Sequence, residues 1–561
     1  MTPLLILLTG MAAGFVLRLR YLGLPLDWDH GLLLYQSYWY ERERRFTVTI
    51  GEVIPGSVKE KPFTDTDMIR AQSLGHSFIF ILLHYLCRDR VRAYRLWDAC
   101  YYSAISVVLF LWGSLVFGTM PAAIGAALFC VFSCMPFFWV AMDNPEKFQI
   151  LFTCAGMLCL TLFVQTMDYL YCIPAGIFFF VAMTFKQNVA VVILSAFVFL
   201  AVQGHFLAPL AVILVMAVQY AVLFIHYLRK GASFQVVFSR FFISYYHLHY
   251  LYSVKVNKEE KTQDTKPDTK PVKYNLIPRI MPNLRKIMKE SSLLWAGALM
   301  WLFSAGLMGV SSQAVVLFTC LMAGTALAFF AANKFFPYYY IPFLPLLALC
   351  SGDLFYEIYS RYGLASVQGA MITSVIAVLG AVNLGSTFRF FFRSTPFEQG
   401  AHMYANTLYN FGVSEEIGRH IRDNTDPDDF IYVFNINPEI YFFAQRRSPT
   451  TSLYIDQLVA SVLTQEDIVR AEKVTREKIR AASPSYIVIN RATNVPITAF
   501  ERVTGNKYFL EKEYHAGYDP ARNPVTLQVF RIRNMDEARK LVAEGEELFG
   551  GDRIEEAAAV F

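Results

Sequence analysis

Charged residues are scarce in this sequence, since Asp, Glu, Lys and Arg make up only 17% of its 561 residues. Hydrophobic residues make up 55% and aromatic residues 16%. A soluble domain of this size cannot bury that much apolar surface, and a chain so rich in Phe and Tyr is not disordered, collagen-like or a coiled coil. The composition therefore predicts an integral membrane protein.

Cysteine motifs and phosphate-binding glycine motifs are missing as well. The nine cysteines all precede residue 351 and none has CxxC spacing, which indicates small buried side chains and argues against a disulfide framework or a zinc site. The chain after residue 393 has no GxGxxG, no P-loop and no metal-ligand cluster. These absences argue against chemistry in the C-terminal part of the chain.

Apolar runs long enough to cross about 30 Å of hydrocarbon are abundant. Eleven spans are predicted, near residues 3–19, 98–117, 121–141, 148–167, 170–184, 189–203, 206–228, 293–309, 312–332, 338–356 and 364–386. The first lacks a basic n-region and an AxA-like cleavage site, so we expect a signal anchor. Two long polar segments, 18–97 with juxtamembrane helices and 229–292, fall on the same side as the C-terminal tail.

The chain divides into a membrane domain, 1–393, a soluble α/β domain, 394–535, and a helical end, 536–561. The α/β domain is predicted to hold a small, partly parallel sheet, with helices at 413–424 and 465–482 and strands at 429–435, 486–490, 509–515 and 526–532. The helical end resembles one tetratricopeptide-like repeat, and the alternative is a helical tail docked on the domain.

Charge is distributed unevenly between these parts. From Ser394 onward 19 basic residues accompany 25 acidic ones, a formal charge of −6, so residues 1–393 carry +11. A basic membrane half indicates anionic partners there. The positive-inside rule would place the two long basic segments in the cytoplasm, but it is weak for loops beyond about 60 residues.

Two carboxylates, Asp27 and Asp29, follow the first span on either side of Trp28. Carboxylates at a membrane surface are costly and so suggest function. A pair two residues apart can share a cation or divide base and electrostatic roles. The alternative is an Asp-rich turn that caps a helix predicted over 31–40, because Asp is a favoured N-cap.

Further polar residues lie in turns that return to the same membrane face as these two carboxylates. An Arg cluster that includes Arg88 and Arg92 is typical of lipid-phosphate contacts or of ordinary interfacial anchoring. A single Lys at the end of a span usually only reaches the interface, but the convergence of several predicted positions indicates a site: Asp143, Glu146, Lys186, Lys334, Tyr338 and Tyr339.

The order of these elements resembles the GT-C superfamily of multi-span glycosyltransferases, in particular the bacterial branch similar to protein O-mannosyltransferases and aminoarabinose transferases. The matching residues are Pro25, Asp29, His30 and Tyr35, then Lys61 and Pro62, Asp143 and Glu146, Lys186 and Gln187, Lys334, Pro337, Tyr338, Pro342 and Pro345, and the tail from Ile417 to Val433. His30 and Phe63 depart from the family, which commonly has Glu and a second Pro there, and this leaves metal use and the sugar open.

The resemblance implies a polytopic α-helical membrane protein of about eleven spans with a C-terminal soluble α/β domain. Its donor would be a polyprenyl-phosphate sugar and its acceptor a glycan, lipid or protein, with no nucleic acid, on the extracytoplasmic face of the inner (plasma) membrane. Transfer would invert the sugar, with Asp29 as base and Asp27 beside it, and with Asp143 or Glu146 as the second acidic position.

The same resemblance and its chemistry suggest the remaining site residues. The donor phosphate would meet Lys61, Lys186, Lys334, Arg88 and Arg92, and the cavity would be lined by Tyr35, Tyr338 and Tyr339. A divalent metal, Mg²⁺ or Mn²⁺, if one is used, would be held by Asp27, Asp29 and Asp143. We expect the α/β domain to guide the acceptor or cover the cavity.

A transporter or flippase of a lipid-linked or anionic substrate is the main alternative, because charges in membrane proteins also mark ion pathways. The spans show no evident internal repeat, and the ionisable residues lie at one face and not at the midplane. A membrane-anchored scaffold would leave these charges unexplained. A cavity on one face favours transfer, and a path through the midplane favours transport.

Overall fold

A computed structural model describes residues 3–43, 74–138, 144–229, 277–332, 337–363, 366–393, 411–434, 437–450, 465–491, 495–518 and 524–533. In the membrane half the helices are α1 (Pro3–Leu19), α2 (Trp28–Glu43), α3 (Leu74–Cys87), α4 (Val91–Phe117), α5 (Thr119–Phe132), α6 (Pro145–Thr166), α7 (Cys172–Phe185), α8 (Val189–Val202), α9 (Leu207–Arg229), α10 (Ile277–Glu290), α11 (Ser292–Met308), α12 (Ser312–Ala332), α13 (Leu344–Tyr362) and α14 (Val367–Arg393). Short 3-10 segments lie among them, at Arg20–Gly23, Pro136–Phe138, Tyr169–Tyr171 and Pro337–Phe343.

The C-terminal part adds α15 (Ser414–Asp423), β1 (Ile431–Phe434), α16 (Pro438–Ala444), α17 (Gln465–Ala482), β2 (Tyr486–Asn490), α18 (Ile497–Thr504), β3 (Tyr508–Tyr518) and β4 (Pro524–Ile532). The sheet order is β1-β2-β4-β3. β1 and β2 are parallel, whereas β2–β4 and β3–β4 are antiparallel, so the sheet is partly parallel, as the sequence predicts. The predicted helical end, 536–561, is beyond the described residues.

Apolar helices dominate the membrane half. Within the described ranges, seven helices are long and apolar enough to cross a membrane, and an eighth span results if Leu284–Glu290 and α11, which meet at 88°, count as one. Each of the eleven predicted spans coincides with a helix, but the predicted count is not confirmed. The reason is length: α5, α7 and α8 have 14 residues each, about 21 Å, which is short for a crossing.

Small residues let the helices of this bundle approach closely. A β-carbon on Gly352 of α13 would lie 2.5 Å from the backbone nitrogen of Gly125 in α5. Such contacts between small residues are how helices pack where lipid removes the hydrophobic driving force.

The α/β domain is joined to the membrane half through α16. All seven residues of this helix are buried. Its aromatic side chains share one hydrophobic core with residues of α2, α3 and α4. The Tyr35 and Tyr441 rings lie 5.6 Å apart across the junction. The two halves are therefore packed together at the end of the bundle that carries the candidate site.

Candidate active site

One face of the bundle collects most of the buried charges of the membrane half, Asp353 inside α13 excepted. Because successive helices alternate in direction, the ends of α1, α5 and α7 meet the beginnings of α4, α6 and α8 there. The charged residues buried at these helix ends are Arg18, Arg95, Asp98, Glu146, Lys147 and Lys186. Buried charges are costly unless they are paired, and four of these helices supply the partners.

The first group, here called the Asp98 cluster, consists of Arg18, Asp98 and Lys147. The Lys147 ammonium donates to Asp98 Oδ1 at 2.8 Å, and Arg18 Nη1 donates to Oδ2 at 3.5 Å. The Arg18 guanidinium also lies 3.4 Å from the centroid of the Tyr102 ring and donates to the Ser133 carbonyl. Asp98 was not predicted from the sequence, because this residue stands at the start of an apolar run. Its partners Lys147 and Arg18 are 49 and 80 positions away in the chain.

The second group, the Glu146 cluster, consists of Glu146, Lys186, Tyr338 and Tyr339. Lys186 Nζ donates to Glu146 Oε1 and lies 3.7 Å from the centroid of the Tyr339 ring and 5.8 Å from that of Tyr338. The structure thus brings together four of the predicted site residues from three parts of the chain. Glu146 and Lys147 are adjacent in sequence, so the two clusters adjoin.

Asp27 caps α2. Its Oδ1 accepts from the His30 backbone N–H at 2.9 Å and lies 2.9 Å from His30 Nδ1. Burial alone would raise the pKa of Asp27, but the charge and hydrogen bonds of His30, together with Arg95, outweigh burial and hold the pKa at about 2. Arg95 also donates to the carbonyls of Leu24 and Pro25. The capping alternative therefore describes Asp27, which is fully buried.

Asp29 differs from Asp27 in its burial and in the direction of its side chain. It lies in the first turn of α2 and is only partly buried. Residues two apart on a helix point about 200° away from each other, so Asp29 projects away from Gly31, which contacts α16. Of the two carboxylates, Asp29 is the one with access to solvent.

A third carboxyl, Glu439, comes from α16 and was missed by sequence analysis. It is fully buried, and its Oε1 accepts from Ser414 Oγ and Asn437 Nδ2, each at 2.6 Å. Burial raises its pKa to about 8 although these hydrogen bonds oppose the shift, and the charge of Asp27 adds to the rise. Glu439 is therefore mostly neutral at pH 7. Pro438 at the start of an apolar stretch was the available helix signal.

Several other predicted residues lie elsewhere. The Tyr35 hydroxyl donates to the Arg446 carbonyl at 2.9 Å and accepts from the Ser448 N–H at 3.0 Å, so it contacts the α/β domain. Arg88 donates to both oxygens of Glu41 at 2.6 and 2.5 Å. Arg92 is exposed. Lys61, Asp143 and Lys334 lie outside the described residues.

The metal prediction can be compared with the carboxylates that the structure places. Within the described ranges no group of three or more His, Cys, Asp or Glu side chains could hold a metal ion. Asp27 is engaged in the cap, Asp29 projects from another side of α2, and Asp143 is not described. The described residues do not fit a metal, and metal use stays a prediction that rests on the sequence.

A small, partly open cavity adjoins the Glu146 cluster. Its lining includes Gln149 and Ile150, one turn beyond Glu146 on α6, Val189, just beyond Lys186, and Pro342, one turn beyond Tyr339. Most other lining side chains are apolar. Each of the three elements that build the Glu146 cluster therefore continues into the wall of this cavity.

No family model and no curated protein matches the sequence, whereas several solved structures resemble the fold. The apo oligosaccharyltransferase of Archaeoglobus fulgidus has a TM-score of 0.54 at 10% identity, over 95% of this chain and 74% of that one. Its complex with an inhibitory peptide and a dolichol-phosphate gives 0.50 at 10%, over 94% and 74%.

ArnT from Cupriavidus metallidurans bound to undecaprenyl phosphate has a TM-score of 0.53 at 12% identity, over 94% of this chain and 97% of that one. Oligosaccharyltransferase and ArnT are both members of the GT-C superfamily. The resemblance predicted from the sequence is thus confirmed at the level of the fold, which this chain shares with these two enzymes.

Proposed function

We propose that this protein is a membrane glycosyltransferase that moves a sugar from a polyprenyl-phosphate donor to a glycan, lipid or protein acceptor. The observation that carries the proposal is the position of the buried charges at one face of the bundle, next to an apolar cavity. A lipid-linked donor needs both features, because its phosphate is charged and its isoprenoid chain is not.

Electrostatics support a phosphate at this site. Among the described residues, four buried cations lie at this face, Arg18, Arg95, Lys147 and Lys186, together with the buried carboxylates Asp27, Asp98 and Glu146. The departing phosphate is already a stable anion, so it needs neighbouring positive charge more than a proton donor. Of the predicted phosphate contacts that the structure describes, Lys186 is the best placed, because it is buried beside the cavity, whereas Arg88 and Arg92 are exposed.

Two buried oxygen atoms near the cavity also support a ligand there. Glu146 Oε2 and Gln149 Oε1 are buried and lack a hydrogen-bond partner among the described residues. Such atoms are rare in folded proteins and call for an explanation. Hydroxyl groups on the sugar of a bound donor would donate hydrogen bonds to these two oxygens, while its phosphate would accept from Lys186 and its first isoprene units would lie in the apolar part of the cavity.

The proposed reaction is a single displacement with Asp29 as the base. An acceptor oxygen attacks C1 of the sugar while its proton passes to the Asp29 carboxylate, and the bond between C1 and the phosphate oxygen breaks with its electron pair going to the phosphate. Attack opposite the leaving group inverts C1. Asp27 and Arg95 serve as positioning residues, since they fix the turn that presents Asp29.

We assign the site to the extracytoplasmic face of the inner membrane and the α/β domain to guiding the acceptor. A transporter or flippase is the second candidate. The position of the charges at one face, with the cavity beside them, favours transfer, since transport needs a path that crosses the midplane.

A direct comparison of the two activities tests the proposal. The purified protein in proteoliposomes would receive a panel of polyprenyl-phosphate sugars with and without acceptor extract. We expect consumption of one donor and release of polyprenyl phosphate. Movement of the intact donor across the bilayer without consumption would contradict transfer and favour the flippase.

A further inference from the structure

A sharp elbow separates α10 from α11. The last turns of α10, Leu284–Glu290, meet α11 at 88°. α11 is apolar and exposes large side chains to its surroundings, among them Phe303 and Leu307, each 83% exposed. A helix of that kind crosses hydrocarbon. With α11 taken as the crossing segment, the 88° bend directs α10 along the membrane surface at the face that holds the buried charges.

The elbow is held by side chains that replace the lost helix hydrogen bonds. Asn383 of α14 is fully buried. Its Oδ1 accepts from the Leu293 N–H at 3.0 Å, and its Nδ2 donates to the Lys289 carbonyl at 2.7 Å and to Ser292 Oγ at 2.9 Å. Helix breaks with satisfied backbone groups are stable features, so the direction of α10 is fixed.

The side chains of α10 divide into two faces. Ile287 is fully buried, and Leu284 packs against the core. Arg285 and Lys289, four positions apart and hence on one face, are exposed. Among the described residues neither cation has an ion-pair partner, and Met288 between them is 41% exposed. This is the pattern of a helix that lies in a membrane interface.

We propose that α10 binds the phosphate headgroups of anionic phospholipids through Arg285 and Lys289, with Met288 at the boundary of the acyl chains. Two cations held at the level of the headgroups by a rigid elbow are complementary in charge to such lipids. This inference is independent of sugar transfer, because neither cation belongs to the two buried clusters.

The test is a titration of the full-length protein with phosphatidylglycerol and with phosphatidylcholine, read by native mass spectrometry. We expect the wild type to prefer phosphatidylglycerol. Each surface cation is worth roughly fivefold in affinity, so the double variant Arg285→Gln/Lys289→Gln should lose tenfold or more of that preference. The matched control, Lys473→Gln/Arg480→Gln, changes one exposed Lys and one exposed Arg of α17 and should keep it.

Two further measurements separate the proposal from its alternatives. Asn383→Ala keeps both cations but releases the elbow, and it should lower the preference if the fixed direction matters. If the double variant folds poorly, each single variant, Arg285→Gln or Lys289→Gln, should lose part of the preference for phosphatidylglycerol. Equal binding of both lipids by the wild type, equal losses in the double variant and its control, or displacement of the lipid by inorganic phosphate at equal concentration would overturn the proposal.

Discussion

Gly31 of α2 and Glu439 of α16 are in backbone contact. A β-carbon on Gly31 would lie 2.4 Å from both the nitrogen and the Cα of Glu439, closer than any real side chain tolerates. This contact fixes the first turn of α2, which carries Asp29, against the α/β domain. The geometry of the candidate site therefore depends on both halves of the protein, although its buried ion pairs lie in the membrane half.

We predict that Gly31→Ala loosens this junction. Overpacking at a buried contact costs about 1–3 kcal/mol, so the melting temperature should fall and donor turnover should fall with it. Gly306→Ala in α11 is the matched control, because nothing lies within 4 Å of a β-carbon there. Equal melting temperatures for the two variants would show that the contact is not tight in solution.

Glu439→Gln should stabilise the protein at neutral pH. Its pKa is about 8 when folded and about 4.3 when unfolded, so the folded state holds the proton and stability is lost as pH rises from about 4 to 8. Gln cannot ionise and keeps an oxygen for Ser414 and Asn437. We expect a gain of about 2–4 kcal/mol at pH 7.

Thermal unfolding of both proteins between pH 5 and pH 8 measures this gain. The wild type should lose stability across the range and the variant should be flatter. Glu415→Gln, at a largely exposed position of α15, is the control and should keep the wild-type slope. A variant that is less stable than wild type at every pH would mean that the carboxyl is ionised and needed as an anion.

Lys186→Met should strongly destabilise the bundle. Removal of one partner from a buried ion pair leaves an uncompensated charge and costs about 3–5 kcal/mol. The double variant Lys186→Met/Glu146→Gln should recover most of that stability, because the charge that remained is gone. If Lys186 also contacts the donor phosphate, the double variant stays inactive. Recovery of both stability and turnover would limit Lys186 to a structural role.

The orientation of the site can be tested with single cysteines in a background without Cys100, which is exposed. One cysteine replaces Lys507 on the α/β domain, and the other replaces Asp168 at the end of the bundle opposite the candidate site. Both positions are exposed. We expect an impermeant maleimide to label residue 507, and not residue 168, in intact spheroplasts. The reverse pattern would place the site in the cytoplasm.

Much of the fold was predictable because its signals are local. Apolar runs locate the membrane helices, and alternating patterns locate the four strands, with β2 predicted at the residues where it occurs. The sequence placed Glu146, Lys186 and Tyr339 at the same membrane face, because successive spans alternate in direction. The number of crossings did not follow, because hydrophobicity alone does not separate a 14-residue helix from a full span.

The missed features depend on contacts between distant parts of the chain. Asp98 looks like one acid at the edge of an apolar run until Arg18 and Lys147 are placed beside it. Asp27 and Asp29 have the same chemistry in the sequence, and only the helix start distinguishes the cap from the partly exposed carboxylate. The contact of α16 with Gly31 joins residues some 400 positions apart, which no local pattern reports.

The most direct test of the central claim is donor turnover by Asp29→Asn and Asp27→Asn, with the anomeric configuration of the product read by nuclear magnetic resonance. Loss of a general base costs about 10²–10⁴-fold, so Asp29→Asn should reduce turnover at least 100-fold with an unchanged melting temperature. Asp27→Asn keeps the cap but loses the charge that interacts with His30 and Arg95, so it should lower stability by about 2–3 kcal/mol and reduce turnover less. The product should be inverted at C1. Retention at C1, or an Asp29→Asn protein with more than about a tenth of wild-type turnover, would contradict the account.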